Sequence, residues 1–558
     1  MSRRNILARI VAPGSPCSQG RAESSSTVWG TAISKSIYII NPRCDAPSYH
    51  TSEAFTQFGL RPTILVADLA TVTIAALAPD DFEIALCDED AEPVDFSRRP
   101  DFVALTGKVS QWGRTRKIAG EFRARGIRVI IGGPHASLSP DTVRPHCDIL
   151  VRGEIEDIAQ GFFADLRAGE WKSEYIGTKP DLRNTALPRW DLYPNHASLA
   201  GTVQTSRGCP FECEFCDVIP YAGRKQRHKE PSQILAELDE LYRHGYRNIN
   251  LASDNFTVYR ARAKELLAAL AEWNRRQSDG PVQFSTQVSI DAATDVELLR
   301  LCADAGLTQV FIGIETPNEE ALRIAKKRQN LRRDLVTEII RVVEHGVGVQ
   351  AGMIVGFDGD DAGIFRRQYE FAMMCPVPIF TLGALVAPVA TPLFTRLKKD
   401  GRLLEGDDAA SQVASAPWHT NIVPSGMSRE VLHEGIRSLS RALYAPDAFE
   451  ARMHRYLDTY GAKHSPRFAS RSRLRLRPVE ADAVSLAFRV GDLGDAEAAM
   501  VQRIFRRIEQ RPELGYSAIT ALVYYAQIQH MCRTETNFKA VPMLPLPVVR
   551  ETVQPATV

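Results

Sequence analysis

Residues 202–217 read Thr-Val-Gln-Thr-Ser-Arg-Gly-Cys-Pro-Phe-Glu-Cys-Glu-Phe-Cys-Asp, and three of the chain's ten cysteines fall within them. A disulfide cannot use three cysteines. A structural zinc site usually takes four ligands in two short pairs, but the only nearby candidate for a fourth is His228, and the chain has no second Cys-x-x-Cys. Cubane iron–sulfur clusters ordinarily take four cysteines, so three would leave one iron open. The spacing of Cys209, Cys213 and Cys216 therefore favours such a cluster, with zinc as the alternative.

The Cys-x-x-x-Cys-x-x-Cys loop resembles the signature of radical S-adenosylmethionine (SAM) enzymes, and more narrowly of their cobalamin-binding class. Phe215 matches the aromatic residue that usually precedes the last cysteine in that family. The resemblance implies that the three cysteines hold a 4Fe–4S cluster whose open iron is chelated by SAM. It further implies that an electron from the cluster cleaves SAM to methionine and a 5′-deoxyadenosyl radical, which abstracts hydrogen from an unactivated carbon.

Composition limits the class of protein. The 558 residues suggest about three domains of ~150 residues each, and 44% hydrophobic with 24% charged residues is typical of a globular protein. A net charge of +1 argues against nucleic acid or an anionic membrane as partner, and no apolar run approaches the roughly 20 residues of a membrane span. The remaining cysteines are scattered, as in a reduced, cytoplasmic protein: Cys17, Cys44, Cys87, Cys147, Cys302, Cys375 and Cys532.

Residues 1–33 are rich in Arg and Ser and contain Glu23 as their only acidic residue. This composition is compatible with a transit peptide, but it favours a disordered extension.

From Ser36 the pattern alternates between strands and helices. The predicted strands are Ser36–Ile40, Phe82–Cys87, Asp101–Leu105, Arg128–Ile131 and Asp148–Val151, and the predicted helices include Ile64–Ala78 and Arg114–Arg125. Such alternation predicts a parallel, doubly wound sheet, whose ligand lies beyond the carboxyl ends of the strands.

The loops at those carboxyl ends are Thr106-Gly107-Lys108, Gly132-Gly133-Pro134-His135 and Gly153-Glu154. Glycines let backbone approach a large flat ligand, although paired glycines after a strand are more often simple turns. Because the segment precedes a radical SAM core, residues 34–175 resemble a cobalamin-binding Rossmann-like domain. The resemblance implies that Thr106, Gly107, Gly132, Gly133, His135, Gly153 and Glu154 contact cobalamin. The Asp-x-His-x-x-Gly motif is absent, which implies binding with the cobalamin base displaced; His135 as a cobalt ligand is the alternative to a neutral surface histidine.

Residues 176–198 form a Pro-punctuated linker, and strand–helix alternation resumes over residues 199–397. The predicted strands are Gly201–Thr205, Asn248–Leu251, Gln283–Thr286, Gln309–Gly313, Gly348–Val355 and Phe380–Val386. Six such units match the partial (β/α)6 barrel of radical SAM enzymes, in which chemistry belongs at the carboxyl ends of the strands.

The resemblance also implies SAM contacts at those strand ends. Asp254 and Asn255 would bond the SAM amino group, although Asp254 also suits a helix N-cap. The remaining implied contacts are Gln287 and Ser289 to the ribose, Lys327 and Arg328 to the carboxylate, Gly356 beneath the adenine, and Glu315 at the end of the fourth strand.

From about residue 398 the alternation stops, and residues 398–558 read as a helix-rich C-terminal domain. The predicted helices are Arg429–Tyr444, Ala496–Gln510 and Ala518–Met531. A helical cap would exclude water from a radical site. The basic run Arg467, Arg471, Arg473, Arg475 and Arg477 favours solvated charge over an RNA contact. Tyr516, Tyr524 and Tyr525 either line the substrate pocket or belong to the core.

Three further stretches resemble a subgroup that includes the hopanoid 2-methylase: Gly223-Arg224-Lys225-Gln226-Arg227, Lys327-Arg328-Gln329-Asn330 and Thr420-Asn421-Ile422-Val423-Pro424. The resemblance implies a cobalamin-dependent radical SAM C-methyltransferase that acts on a lipid, a peptide or a natural-product intermediate and takes electrons from a flavodoxin or ferredoxin. Two alternatives remain: a cobalamin-dependent radical cyclase or rearrangement enzyme, and a non-catalytic cobalamin- and iron-dependent sensor. A tRNA methylthiotransferase is disfavoured because Cys44, Cys87 and Cys147 are too dispersed to hold a further cluster.

Overall fold

A computed structural model describes residues 35–404, 418–465 and 476–534. The predicted extension 1–33 and the basic residues Arg467, Arg471, Arg473 and Arg475 lie outside the described residues.

The described strands, in chain order, are β1 Lys35–Asn41, β2 Ile64–Val66, β3 Phe82–Asp88, β4 Phe102–Thr106, β5 Arg128–Gly132, β6 Ile149–Arg152, β7 Glu174–Ile176, β8 Ser198–Gln204, β9 Ser206–Arg207, β10 Arg227–His228, β11 Asn248–Ala252, β12 Gln283–Val288, β13 Leu307–Glu315, β14 Gly348–Val355 and β15 Phe380–Ala384. The described α-helices are Glu53–Gln57, Leu69–Leu77, Trp112–Ala124, Pro134–Leu138, Pro140–Val143, Ala159–Ala168, Val218–Ala222, Pro231–Arg243, Arg260–Arg275, Val296–Ala305, Glu319–Ile324, Leu335–Glu344, Ile364–Met374, Pro392–Lys399, Arg429–Leu443, Pro446–Thr459, Pro478–Arg489, Asp495–Gln510 and Gly515–Thr534.

The first sheet has the order β3-β1-β4-β5-β6-β7, and all its strands are parallel. One face packs on Trp112, Ile118 and Phe122 of one helix. The other face packs on Phe162 and Phe163 of the helix Ala159–Ala168. The predicted doubly wound sheet is therefore confirmed, with β7 as an additional edge strand.

The predicted helix Ile64–Ala78 is wrong at its beginning. Residues Ile64–Val66 are a strand that pairs with β8 of the second sheet. The helix begins at Leu69, because the Asp68 side chain accepts a hydrogen bond from the Thr71 amide at 2.8 Å and caps it there. Pairing with a distant strand overrides the local apolar pattern that favours helix.

The second sheet is a curled parallel half-barrel with the order β15-β14-β13-β12-β11-β8-β2. Six of its strands are the predicted ones, and β2 is the seventh. On each strand, alternate side chains face the surrounding helices and belong to the main core. Examples are Ile249, Ile312 and Leu382. The predicted partial barrel is therefore confirmed.

Helices of the C-terminal region close the half-barrel. The free edge of β15 is covered by Tyr444, whose hydroxyl accepts from the Phe380 amide at 3.0 Å and donates to the Phe380 carbonyl at 2.6 Å. Tyr49 donates to the Leu382 carbonyl at 3.2 Å. These tyrosines satisfy backbone groups that an open edge leaves unpaired.

The three predicted C-terminal helices are present. The structure contains two further helices in this region, Pro446–Thr459 and Pro478–Arg489. The helix Gly515–Thr534 is buried on most sides, as its largely apolar sequence requires. Among the described residues, no helix combines the length and the apolar character that crossing a membrane requires.

Candidate active site at the mouth of the half-barrel

The cysteine loop follows β9, which forms a short antiparallel hairpin with β10. Gly208 starts the loop with a φ of 99°. A Cβ at that position would lie 2.6 Å from the Lys225 carbonyl oxygen, so only glycine fits. Backbone bonds from Cys209 to Gly223 (3.1 Å) and from Glu214 to Ala325 (3.0 Å) fix the loop at the carboxyl end of the barrel.

The three cysteines lie near one another, since both Cys209 and Cys216 interact electrostatically with Cys213. Cys213 is buried, and Cys209 and Cys216 are partly buried. Burial, with Asp217 and Cys213 nearby, raises the pKa of Cys216 to about 12. Burial, with the neighbouring Cys213, also raises the pKa of Cys209. Such thiols become thiolates only when metal cations bind them. The donor set therefore fits an iron–sulfur cluster.

The cysteine loop is not preformed around a single metal ion. In the part of the chain that the structure describes, no three or more His, Cys, Asp or Glu side chains converge as ligands of one ion. Thiolates of a cubane cluster bind different irons and stand further apart. The iron and zinc contents of the purified protein distinguish the two alternatives.

Gln329 contacts the cysteine loop and was not predicted as a site residue. Its side-chain amide donates to Cys213 Sγ at 3.5 Å, and both side chains are buried. The neighbouring Asn330 donates to the carbonyls of Gly313 (3.1 Å) and Ile314 (2.9 Å), which fixes the turn that presents Gln329. The stretch Lys327–Asn330 stood out in the sequence, but no spacing rule connects Gln329 with Cys213.

Glu315 and Lys327 form a buried ion pair with an Oε1–Nζ distance of 2.6 Å. Glu315 has a φ of 66°, an uncommon conformation for a residue with a side chain. Burial disfavours the Lys327 charge, but Glu315 and Cys213 outweigh it and raise the Lys327 pKa. The ammonium also lies 6.0 Å from the Phe215 ring centroid, so a cation stands beside the cysteine loop.

The predicted contacts to the SAM amino group and ribose lie at the ends of β11 and β12. Asp254 accepts a hydrogen bond from the Gly208 amide at 2.5 Å, which ties it to the cysteine loop rather than to a helix as an N-cap. Burial raises its pKa, and Asp217 adds to the effect. Asn255 donates to the Ser289 hydroxyl at 3.0 Å, and the Gln287 side chain is exposed in the barrel mouth.

Two predicted residues lie in surroundings that the sequence did not indicate. Arg328 is largely exposed and pairs with Glu212 at 3.6 Å. Gly356 has a φ of 96°, and a Cβ there would lie 3.1 Å from Leu432 of a C-terminal helix. Its amide donates to the buried Asp360 carboxylate at 3.1 Å, which also accepts from the Phe357 amide. Asp360 therefore shapes this loop, although it was not predicted.

The glycine loops of the first sheet meet at its carboxyl edge. Thr106 pairs with Gly132 across β4 and β5. Gly133 has a φ of 93°, and a Cβ there would lie 2.9 Å from Thr106 Oγ1 and 3.0 Å from the Gly107 nitrogen. The Ser137 hydroxyl joins the third loop by accepting from the Gly153 amide at 2.9 Å. The result is an edge lined mainly by backbone, which fits a large flat ligand.

His135 is buried rather than on the surface, which corrects the expectation of a surface histidine. Burial lowers its pKa to about 4, so the ring is neutral near pH 7. The ring centroid lies 4.9 Å from that of Trp112. Its Nε2 is buried and has no hydrogen-bond partner in the structure.

Glu154 joins the two sheets. Its carboxylate accepts from Arg207 (2.5 Å) and Arg227 (2.8 Å), and Arg207 also binds Glu156 at 2.5 Å. All these side chains are largely buried. Since Arg207 immediately precedes Gly208, the network links the loop after β6 directly to the cysteine loop.

Two further contacts join the first sheet to the cysteine loop. Burial raises the pKa of Asp217, and the nearby Lys108 ammonium offsets part of that rise. The helix Pro134–Leu138 packs on Val218–Ala222, directly after the cysteine loop. The carboxyl edge of the first sheet thus faces the mouth of the half-barrel.

Comparison with known proteins agrees with this geometry. Residues 203–372 match the radical SAM superfamily, and residues 391–539 match a domain of unknown function, DUF4070. An uncharacterized methyltransferase of Synechocystis sp. is 34% identical over 404 residues, which cover 72% of this chain and 74% of the relative. The hopanoid C-2 methylase of Rhodopseudomonas palustris is 31% identical over 360 residues, which cover 63% and 68%.

Among solved structures, the cobalamin-dependent SAM radical enzyme OxsB, with aqua-cobalamin and SAM bound, superposes with a TM-score of 0.56 at 13% identity. The match covers 89% of this chain and 79% of that one, and it bears on the fold. The matched superfamily accounts for the three-cysteine loop and the half-barrel, and both relatives are named as methyltransferases or methylases. The chain therefore belongs to the radical SAM superfamily, in the same family as these two proteins.

Proposed function

We propose that the protein is a cobalamin-dependent radical SAM C-methyltransferase that acts on an unactivated carbon of a lipid, a peptide or a natural-product intermediate. The observation that carries the proposal is that the carboxyl edge of the first sheet faces the mouth of the half-barrel. The glycine loops of the first sheet face the cysteine loop of the half-barrel across buried ion pairs of Glu154 with Arg207 and Arg227. A substrate between these edges would contact both cofactor sites at once, which is the geometry that coupled reactions need.

When bound, a 4Fe–4S cluster with SAM supplies a carbon-centred radical, and cobalamin supplies a carrier for the methyl group. In this proposal residues 34–175, apart from β2, form the cobalamin-binding unit. Residues 176–198 are the linker, 199–397 the radical SAM barrel and 398–558 the helical domain.

The chain's own residues would bind and orient the cluster, SAM and cobalamin. Cys209, Cys213 and Cys216 would hold the cluster. Asp254 and Asn255 would bind the SAM amino group, Lys327 its carboxylate, and Gln287 with Ser289 its ribose. Glu315 keeps the Lys327 ammonium in place at 2.6 Å, and Gly356 leaves room for the adenine. Thr106, Gly107, Gly132, Gly133 and Gly153 would approach the corrin ring. His135 is a neutral imidazole near that edge, and its Nε2 has no hydrogen-bond partner.

The Glu154 carboxylate is taken up by two arginines. We therefore propose that it acts on cobalamin through the position of its loop. Arg328, exposed beside Glu212, lies at the surface of the cysteine loop, where a flavodoxin- or ferredoxin-type electron donor would approach.

A labelling experiment tests methyl transfer. The anaerobically reconstituted protein is given SAM with a CD₃ group and candidate substrates, and the products are weighed by mass spectrometry. We expect the product to gain a CD₃ group while S-adenosylhomocysteine and 5′-deoxyadenosine accumulate in equal amounts. Unlabelled product with 5′-deoxyadenosine but no S-adenosylhomocysteine would instead identify a cyclase or rearrangement enzyme. Absence of SAM turnover with every substrate would favour the sensor.

Cysteine variants provide the control. Replacing Cys209, Cys213 and Cys216 by alanine should remove the roughly four irons per chain expected for one cluster and abolish 5′-deoxyadenosine formation. Cys302→Ala changes a buried cysteine outside the loop and should retain both. Full iron content in the triple variant would refute the cluster assignment.

A further inference from the structure

The cysteine loop contains two glutamates in different surroundings. The side chain of Glu212 is 39% exposed and pairs with arginines at the surface. The side chain of Glu214, which lies between Cys213 and Cys216, is only 9% exposed. Acidic side chains are almost never buried unless they are paired. The contacts of Glu214 therefore indicate what holds this part of the loop.

Glu214 belongs to a tight turn that carries two of the cysteines. The Cys216 amide donates to the Cys213 carbonyl at 3.2 Å, which closes a four-residue turn with Glu214 and Phe215 at its centre. The Glu214 amide donates to the Ala325 carbonyl at 3.0 Å. A contact that fixes the two central residues therefore also fixes the turn from which both thiols project.

The helix Pro392–Lys399 binds the backbone of this turn. The Leu393 amide donates to the Glu214 carbonyl at 3.0 Å. Leu393 lies in the first turn of its helix, where amides have no acceptor within the helix. Leu393 and Leu397 also belong to the apolar cluster against which Phe215 packs. One helix thus contacts both central residues of the turn.

Arg396 of the same helix binds the Glu214 side chain. Its Nη2 lies 2.6 Å from Glu214 Oε1 and its Nε lies 3.3 Å from Oε2, so the guanidinium contacts both carboxylate oxygens. A two-point contact of this kind fixes orientation as well as distance. The Arg396 side chain is 34% exposed, so solvent reaches only part of the pair.

A second carboxylate orients Arg396. Asp358 accepts a hydrogen bond from Arg396 Nη1 at 2.6 Å and another from Arg402 at 2.7 Å. Burial acts to raise the pKa of Asp358, but the hydrogen bonds from Arg402 and Arg396 outweigh burial and lower the pKa to about 2. Asp358 is therefore charged near neutral pH, and Arg396 is held between two carboxylates.

These contacts cross from one matched domain to another. Glu214 lies within residues 203–372, which match the radical SAM superfamily, and Arg396 lies within residues 391–539, which match a domain of unknown function. Ligands that are already ordered lose less conformational entropy when they bind a metal. Residues that orient metal ligands typically change metal affinity about 10- to 100-fold when they are mutated.

We propose that Arg396 is a positioning residue for the iron–sulfur cluster. Through Glu214 it holds the turn Cys213–Cys216 in the conformation that cluster binding requires. This inference rests on the proposed function where it assigns the cysteines to a cluster. It gives the first helix of the domain of unknown function a role in holding the cofactor.

Iron release from the reconstituted full-length protein tests the proposal. A ferrous-iron chelator is added anaerobically to the reduced protein, and the absorbance of the coloured iron complex gives the release rate. We expect Arg396→Met to release iron about tenfold faster than the wild type. Arg396→Lys keeps the charge but lacks the planar fork, so its rate should lie between the two.

Arg366→Met is the matched control. Arg366 also lies on a helix and pairs with a glutamate, Glu370, but this pair is at the surface. Surface pairs of this kind contribute little, so the variant should release iron at the wild-type rate.

A double-mutant cycle tests whether Arg396 acts through Glu214. Glu214→Gln keeps the size of the side chain but removes its charge, so it should also speed release. If the two residues act as one unit, Glu214→Gln combined with Arg396→Met should release iron about as fast as the faster single variant. Effects that multiply would show that the two residues act independently and would overturn the proposal.

Spectra separate positioning from fold stability. The electron paramagnetic resonance spectrum of the reduced cluster depends on the geometry of its thiolates. It should change in Arg396→Met and Glu214→Gln but not in Arg366→Met. An unchanged spectrum in both loop variants, or a wild-type release rate in either, would overturn the proposal. If Arg396→Met does not fold, Glu214→Gln decides the question, because it keeps the shape of the side chain.

These measurements need no turnover. A wild-type protein that takes up no iron would refute the cluster itself, and with it the proposed function. A wild-type protein that takes up iron but releases it as fast as Arg396→Met would refute only the positioning role.

Discussion

Gln329 shows how a single neutral side chain acts on the proposed cluster. Its amide donates to Cys213 Sγ at 3.5 Å inside the protein. Hydrogen bonds to cluster sulfurs help set the reduction potential, because a donor stabilises the more negative, reduced form. The contact therefore favours acceptance of the electron that starts the reaction.

We predict that Gln329→Leu shifts the reduction potential of the cluster to more negative values while iron content stays unchanged. Gln329→Glu should shift it further, because it adds negative charge beside the thiolate. A redox titration followed by electron paramagnetic resonance measures both shifts. An unchanged potential in both variants would show that the contact has no influence on the cluster.

At this scale the sequence predicted what local spacing encodes. The three cysteines and Phe215 lie within eight residues of one another, so a loop of one hairpin is sufficient to gather them. Gln329 is 116 positions from Cys213, and Asp360 is recognisable only once its two backbone partners are seen. Contacts of that kind depend on how the strands are arranged in space, which no local pattern encodes.

Among the elements, the hairpin β9–β10 carries a buried ionic link between the sheets. Arg207 and Arg227 project from it towards Glu154, whose side chain is 3% exposed. Breaking a buried ion pair leaves an uncompensated charge and costs about 3–5 kcal/mol. An exposed pair is worth about 0–1 kcal/mol.

Arg207→Met should therefore lower the Tm markedly, because it keeps the bulk of the side chain but leaves Glu156 without its arginine. Arg323→Met is the matched control, since Arg323 pairs with Glu320 at the surface and should change the Tm little. Scanning calorimetry measures both. Equal effects of the two substitutions would mean that the buried network does not hold the sheets together.

The elements were predicted well where they are long and poorly where they are short. Gly348–Val355 has the predicted bounds, and the other barrel strands differ by a few residues at their ends. The three-residue strands β2 and β7 were missed. Their stability comes from strands far away in sequence rather than from their own composition, as the pairing of β2 with β8 shows.

For the whole molecule, Asp88 stands where the first sheet, the linker and the helix Leu69–Leu77 meet. Its carboxylate accepts from the Tyr193 hydroxyl at 2.6 Å, and that hydroxyl accepts from the Asp68 amide at 2.9 Å. Burial raises the pKa of Asp88 to about 6. The folded protein thus retains a proton that the unfolded chain releases near pH 4.

Because the folded-state pKa is raised, this group makes the protein less stable as the pH rises from about 4 to about 6. In the Asp88→Asn variant, the side chain at this position no longer titrates. Relative to the wild type, the variant should therefore gain about 1–2 kcal/mol of stability between pH 5 and pH 7. Tm curves of both proteins across that range measure the gain. Parallel curves would contradict the prediction.

The sequence predicted that two parallel sheets precede a helical region, but not how they are joined. The alternation of strands and helices encodes each sheet separately. The insertion of β2 into the barrel and the packing of Gly515–Thr534 against it depend on residues hundreds of positions apart. The Gln527 side chain illustrates this, because it accepts from the Ala54 amide at 3.0 Å and donates to Thr51 at 3.0 Å.

This closure of the half-barrel by a distant helix has a consequence for biosynthesis. A ribosome releases all seven strands of the barrel sheet before it makes residues 515–534. Until that helix is made, the Gln527 contacts with Ala54 and Thr51 cannot form, although Tyr444 can already cover the edge of β15. The half-barrel therefore reaches its final packing only after residues 515–534 have left the ribosome.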